Sequence, residues 1–384
     1  MTLNGRIEVR RVRWWTPGAG CLAVVDRWRD QTEATVTVGV RELCCRLGTA
    51  GGSFARSAEN LQRAAQLRMS EETLRQVVES AGQAVLAAAQ AEQLELDWSA
   101  SSCQTQTPPG QTVSRIYVSA DGVLVPVTTA AEKQQRRKTV LERRRTWPRR
   151  RGHRRPPLRV VKAGADQRYK QFYLTAFYEQ EQTHRLVSVT RQDHHGLGKL
   201  LRRDAAQLRI AAAQERVGLV DGAVCLRKHL DPLDLTAAGL DFCHLGEHVH
   251  EARRTTFGES TPVGQQWATE TLHTVRNEGY LPFWDCLCMW RSQQRGSLRR
   301  PCADRLLHYV AQRQDMIQYD EFERRGWNIG SGPIEAMCKA TTRRLKGPGM
   351  RWDSDHAEAV MALESLYQSQ LWDRYWTNVL WHHN

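Results

Sequence analysis

The spacing of apolar residues changes several times along the chain. Residues 5–15 (GRIEVRRVRWW) alternate, with Ile7, Val9 and Val12 as inward positions before a Pro17-Gly18 turn signal, which is the pattern of a short strand. From about residue 37 the spacing lengthens to threes and fours: Val40, Leu43 and Leu47, then Phe54, Leu61 and Ala65, then Leu74, Val77 and Val78. Three helices are expected from it. Ser70 is placed to cap the third, and Glu71 and Glu72 suit the positive end of its dipole. With a tight turn at residues 68–70, the second and third helices have the outline of a helix-turn-helix. In that arrangement Thr73, Arg75 and Gln76 face the major groove, although packing of a plain helical bundle would explain the outline equally. Residues 98–112 lack periodicity, contain Pro108-Pro109-Gly110, and read as a linker.

Beyond the linker, Arg115 to Asp121 (RIYVSAD) is a short β-rich run that ends in an acid and a glycine, so Asp121 is expected at a strand end. Two further strands are expected at 171–178 (QFYLTAFY) and 185–190 (RLVSVT). Residues 196–214 carry Leu197, Leu200, Leu201 and Leu208 at helical spacing, and Val217 to Val220 leads into Asp221-Gly222, a second strand that terminates in Asp-Gly. Residues 237–242 form another strand candidate, and 247–326 read as mainly helical. This order of three strands, helix, strand, short helix, strand and helices is that of an RNase H-like sheet.

Charge points to a partner. The chain of 384 residues carries a net charge of +13. Between Lys133 and Lys162 stand fourteen Lys or Arg, including Arg143, Arg144, Arg145, Arg149, Arg150 and Arg151, against the single acid Glu142, so this segment holds the whole excess. A run of like charge attracts a polyanion with steep salt dependence, and it is expected to be unstructured when unbound. Nucleic acid is the expected partner; a solvated basic loop or a targeting signal is the plainer alternative. No apolar run reaches the length of a membrane span and no signal-peptide core opens the chain, so a cytoplasmic protein with no membrane partner is expected. The ten cysteines are scattered and read as reduced thiols. His244, His248 and His250 share helical spacing but lack a matching flanking pair for a metal cluster.

The chemistry-bearing residues lie far apart. Gly326 to Glu335 (GWNIGSGPIE) combines glycines for a tight turn, Ser331 as a cap and Pro333 in the first turn of a helix, which puts Glu335 in that first turn. Its plain role there is dipole stabilisation. If the turn aims Glu335 at the edge that carries Asp121 and Asp221, three carboxylates crowd together, and at least one should resist ionisation until divalent cations arrive. Oxygen donors favour magnesium, with manganese as an alternative, and two ions about 4 Å apart suit in-line phosphodiester displacement.

The blocks YVSADGVLVPV, GLVDGA, LDFCHLGEH and GWNIGSGPIEAMCKATTRRLKGPGMRW resemble the motif blocks of bacterial insertion-sequence transposases of the ISKra group, across residues 113–355. That group is similar to Mutator-like DDE enzymes. The resemblance implies that Asp121, Asp221 and Glu335 are the catalytic and metal-binding carboxylates, holding two ions. It further implies that Asp241-Phe-Cys-His244 is the accessory C/DxxH motif, with His244 positioning the scissile phosphate or the helical insertion, and that 247–326 is an all-helical insertion; a satisfied core histidine beside the sheet is the equal alternative for His244. After Glu335, Lys339 and Arg343 share a helix face and, with Arg351, could meet phosphates flanking the cleaved bond.

The expected protein is therefore α/β, with an RNase H-like mixed five-stranded sheet, an all-helical insertion and a small, mostly helical DNA-binding domain ahead of them. Residues 1–35 form a short β-rich element, 36–97 the helix-turn-helix-like domain and 98–112 the linker. Residues 113–246 form the first part of the core with the basic insert at 131–165, 247–326 the insertion, and 327–384 the C-terminal helices. The expected activity is metal-dependent cleavage and strand transfer at the terminal inverted repeats of a mobile element. The partners are duplex DNA, at the repeats and the target, and at least one further copy of the chain, in a bacterial cytoplasm at the nucleoid. A catalytically inactive DNA-binding protein and an RNase H-fold nuclease without strand transfer are the alternatives.

Overall fold

Residues 14–18, 20–22, 36–146 and 161–381 are described by the computed structural model of the chain. Most of the strand expected over 5–15 lies outside these residues, as do Arg149, Arg150 and Arg151. A hairpin of β1 (Trp14–Thr16) and β2 (Gly20–Leu22) precedes helices α1 (Val38–Ala50), α2 (Phe54–Ala65) and α3 (Glu71–Gln90). Then come β3 (Gln104–Gln106), β4 (Thr112–Pro126), α4 (Ala130–Thr146), β5 (Tyr169–Tyr178) and β6 (Arg185–Thr190). They are followed by α5 (His194–Gln207), β7 (Glu215–Val220), α6 (Val224–Leu230) and β8 (Ala237–Leu240). The later α-helices are α7 (Phe242–Phe257), α8 (Pro262–Asn277), α9 (Tyr280–Gln293), α10 (Arg299–Ala311), α11 (Tyr319–Arg325), α12 (Gly332–Arg343), α13 (Ser354–Gln368) and α14 (Trp372–Trp381). No described helix is long and apolar enough to cross a membrane.

The chain forms two compact units: Met1–Glu95, Gly122–Phe172 and Lys339–Asn384 make the first, and Leu96–Asp121 and Tyr173–Cys338 the second. In the first, α1, α2 and α3 pack together and α3 lies along α13. Leu61, Leu74, Val78, Leu363 and Leu366 are buried there. The close approach rests on Gly82, where an added Cβ would stand 2.2 Å from the Ala359 carbonyl oxygen. Ser70 caps α3 as expected, its side chain accepting from the Thr73 N–H.

The basic insert departs from expectation. Its first half is the helix α4, because Thr129 and Glu132 cap each other reciprocally (2.9 and 3.2 Å) and the residues after them are strong helix formers.

The second unit holds most of a mixed sheet of order β6-β5-β4-β7-β8, with β3 added on β4. β4, β7 and β8 run parallel, while β5 and β6 are antiparallel. The sheet thus has six strands rather than five. The extra one comes from the expected linker: residues 98–112 form a 3-10 turn (Ala100–Ser102), β3, and a hairpin that sets Gln106 opposite Thr112. Exposed polar residues at this end hid the strand, since pairing to β4 uses backbone groups alone.

Asp121 is also not at a strand end. β4 continues to Pro126, and Asp121 sits where its pairing with β7 stops. Gly122 lets the Gln171 side chain approach closely, and the strand carries on through Val123 and Val125.

Candidate active site

Three aspartates lie in one row. The parallel register matches Ala120 with Val220 and Val220 with Leu240, so Asp121, Asp221 and Asp241 each come one residue beyond the last paired row of adjacent strands, which are spaced about 4.8 Å apart. By strand alternation these three positions fall in register with Arg115, Tyr117 and Ser119 of β4 and Glu215 of β7. Asp121 and Asp221 are half-buried, and Asp241 is buried.

These residues are linked to the segment leading to Glu335. The buried Arg115 guanidinium pairs with Glu215 (2.6 Å) and donates to the Gly326 and Arg325 carbonyls (2.6 and 3.0 Å). The Trp327 indole N–H donates to the same Glu215 oxygen (2.9 Å), and the Asn328 N–H donates to the Tyr117 hydroxyl (3.1 Å). Farther along, the Phe242 N–H donates to the Ile329 carbonyl (2.9 Å) and the Ser331 N–H donates to Asp241. Residues 326–331 are thereby laced from the Arg115 row to the Asp241 row. Ser331 opens α12, with Glu335 in its first turn as expected. The roles of Arg115, Tyr117 and Glu215 were not apparent from the sequence. A charged residue at the start of an otherwise apolar strand was the available signal.

Asp241 serves two helix N-termini at once. Oδ1 accepts the His244 N–H that caps α7 (2.8 Å) and the His244 Nδ1–H (3.2 Å), while Oδ2 accepts from Ser331 at the start of α12. Burial pushes its pKa up, but the hydrogen bonds from His244 and Ser331 outweigh burial and hold the carboxyl well below the usual range. His244 shifts the other way: the Asp241 hydrogen bond, helped by the nearby charges of Glu247 and Asp221, raises it to about 9 despite partial burial. The pairing with Asp241 favours the protonated form of His244.

Asp241, His244 and Glu335 present ligand atoms within 4.8 Å of one another; among the described residues, Asp121, Asp221 and Glu335 do not form such a group. Asp241 already accepts from donors on both oxygens, so its carboxylate fits an anchor better than a metal ligand. Among the described residues, His248 and His250 do not join His244 in a metal-binding group. The His248 ring stacks on Tyr309 at 3.7 Å instead.

The turn after Asp221 is held from the helical segment. Gly222 has φ +81°, and its carbonyl accepts from Arg313 Nε (2.9 Å), while Arg313 Nη1 donates to the Tyr309 carbonyl (3.0 Å) and the guanidinium stacks 3.9 Å over that ring. A Cβ at Gly222 would meet Arg313 at 2.7 Å and Leu240 at 2.5 Å. Asp221 accepts the Ala223 N–H (2.9 Å). Burial raises the Tyr309 phenol to about 12.

The remaining expected residues lie in the first unit. Arg143, Arg144 and Arg145 fall in the last turn of α4, the outer two exposed. Lys339 and Arg343 are exposed one turn apart on α12, whereas Arg344 beside them is buried, donating to the Gly48 carbonyl (2.9 Å). Arg351 donates to the Arg168 carbonyl (3.1 Å) and keeps a quarter of its side chain exposed. Thr73, Arg75 and Gln76 are engaged within α3: Arg75 pairs with Glu72 (2.7 Å) and Glu79 (2.6 Å), Gln76 donates to Glu72 (2.7 Å), and the Thr73 hydroxyl meets Ser70 (2.7 Å). Burial raises the thiols of Cys44 and Cys103 to about 11 and 12.

No protein-family model matches the chain, and no curated protein matches it.

Proposed function

We propose that the chain is a DNA transposase of the DDE type, related to the ISKra group, whose second unit is an RNase H-like catalytic core. The observation that carries this reading is the aspartate row on three parallel strands, with the segment bearing Glu335 tied to the third aspartate. The sheet order supports it. So does the helical segment of α7 to α11 between Asp221 and Glu335, which fits the expected insertion.

The donor set fits a hard divalent cation: Asp121, Asp221 and Glu335 offer carboxylate oxygens, and Asp241 is spent on anchoring. Those three residues would hold magnesium or manganese, which when bound stabilises charge on the attacking and leaving oxygens of a phosphodiester. Asp241 fixes the start of α12 and so the reach of Glu335. His244 offsets the negative charge of the pocket and presents an N–H donor beside it, suited to a phosphate oxygen. Arg313 keeps the Asp221 turn in its left-handed conformation. Strand transfer at two element ends calls for two or more copies of the chain.

The purified chain, supplied with duplex carrying the flanks of its own gene and magnesium or manganese, should nick the DNA and join a pre-cut 3′ end to plasmid. Asp121→Asn, Asp221→Asn and Glu335→Gln should each lower nicking by on the order of 100-fold or more, with DNA affinity retained. Nicking without joining would favour a nuclease. Binding without nicking in the parent chain would favour an inactive DNA-binding protein.

A further inference from the structure

The first unit carries a groove of about 1180 Å³. One wall is α4, which contributes Lys133, Arg136, Arg137, Val140 and Arg144, positions that step by threes and fours and form a single helix face. Arg75 and Glu79 of α3 and the loop around Arg351 close the other sides. Among the described lining residues, eight side chains are basic and three acidic. Two of the acids hold cations in place: Asp353 pairs with Lys133 (2.9 Å), and Glu79 pairs with Arg75 (2.6 Å) and His356 (3.3 Å). Two aromatic side chains reach the groove, Phe54 and Trp352. Each is only 7% exposed, and the Arg344 guanidinium stacks over both at 4.4 and 5.1 Å.

α4 buries no residue and bears seven Lys or Arg against Glu132 and Glu142. A helix that gains nothing from burial and repels itself is stabilised when negative charge is laid along it. The basic face from Lys133 to Arg144 is about 16 Å long at 1.5 Å per residue, the axial length of about five nucleotides of one strand.

We infer that this groove receives the sugar-phosphate backbone of duplex DNA, with α4 lying along one strand. Its two aromatic rings are buried beneath Arg344, which argues for the duplex, because single strands are gripped by stacking their bases on exposed aromatic side chains. Among the described residues the lining contains no Asn or Gln, and its arginines are spread along a track, which suits phosphates in any sequence. This inference rests on the transposase reading for naming the polyanion as DNA.

The test is fluorescence anisotropy of the full chain with a duplex of about 30 base pairs of arbitrary sequence and with its single strand, from about 50 to about 300 mM salt. The triple variant Arg136→Ala, Arg137→Ala, Arg144→Ala should bind duplex at least about tenfold more weakly at about 150 mM salt, and its slope of log affinity against log salt should be shallower by about 2 to 3. Arg299→Ala with Arg300→Ala should leave both unchanged, and circular dichroism should show native helix content in each variant. An unchanged affinity and slope in the triple variant, tighter binding of the single strand, or no duplex binding by the parent chain overturns the inference. If the triple variant behaves as expected while the parent chain shows no metal-dependent nicking, the groove stands and the transposase reading fails. If the parent chain nicks DNA and the triple variant binds as the parent does, the transposase reading stands and the groove fails.

Discussion

The carboxylate of Asp241 receives the cap of α7, the His244 ring and the amide that opens α12, so two helix N-termini converge on one negative charge. The pair with His244 should be visible in solution. An NMR titration of the metal-free chain should give His244 a pKa near 9, and Asp241→Asn should return it toward 6.5. The sign follows from linkage: a raised imidazole pKa stabilises the fold fully below about 6.5, and that contribution fades as pH climbs through about 9. A His244 that titrates at or below 6.5 in the parent chain would contradict the described pairing.

Two contacts between elements carry predictions of their own. Arg313, just after α10, holds the Gly222 carbonyl, so Arg313→Gln should release the turn after Asp221. Amide exchange at residues 221–223 should rise and manganese affinity should fall by about tenfold or more. Unchanged exchange there would mean the turn holds itself. In the first unit, α3 approaches α13 through Gly82 against backbone atoms of Ala359, which cannot swing aside as a side chain would. Gly82→Ala should therefore destabilise the unit by about 1–3 kcal/mol in chemical denaturation, despite the better helix propensity of alanine. Equal or greater stability would show that the two helices can part without loss.

At the scale of the molecule, the legible parts were those written in local pattern. The alternation at 185–190 and the helical spacing near Leu197 gave elements close to those found, and the Ser331-to-Glu335 run gave a helix start with Glu335 in its first turn. What stayed hidden depends on pairing at a distance. Nothing in QTQ at 104–106 says strand until β4 offers its edge, and nothing around Arg115 says it will hold the segment at 326–331, more than 200 residues away. For the same reason Asp241 read as a motif residue rather than as the anchor of α12. Whether Asp121, Asp221 and Glu335 grip metal as one set can be read by counting the manganese ions bound per chain in titration calorimetry. Two ions should bind the parent chain, and at least one should be lost in each of Asp121→Asn, Asp221→Asn and Glu335→Gln. Undiminished stoichiometry and affinity in any of the three would refute the shared site.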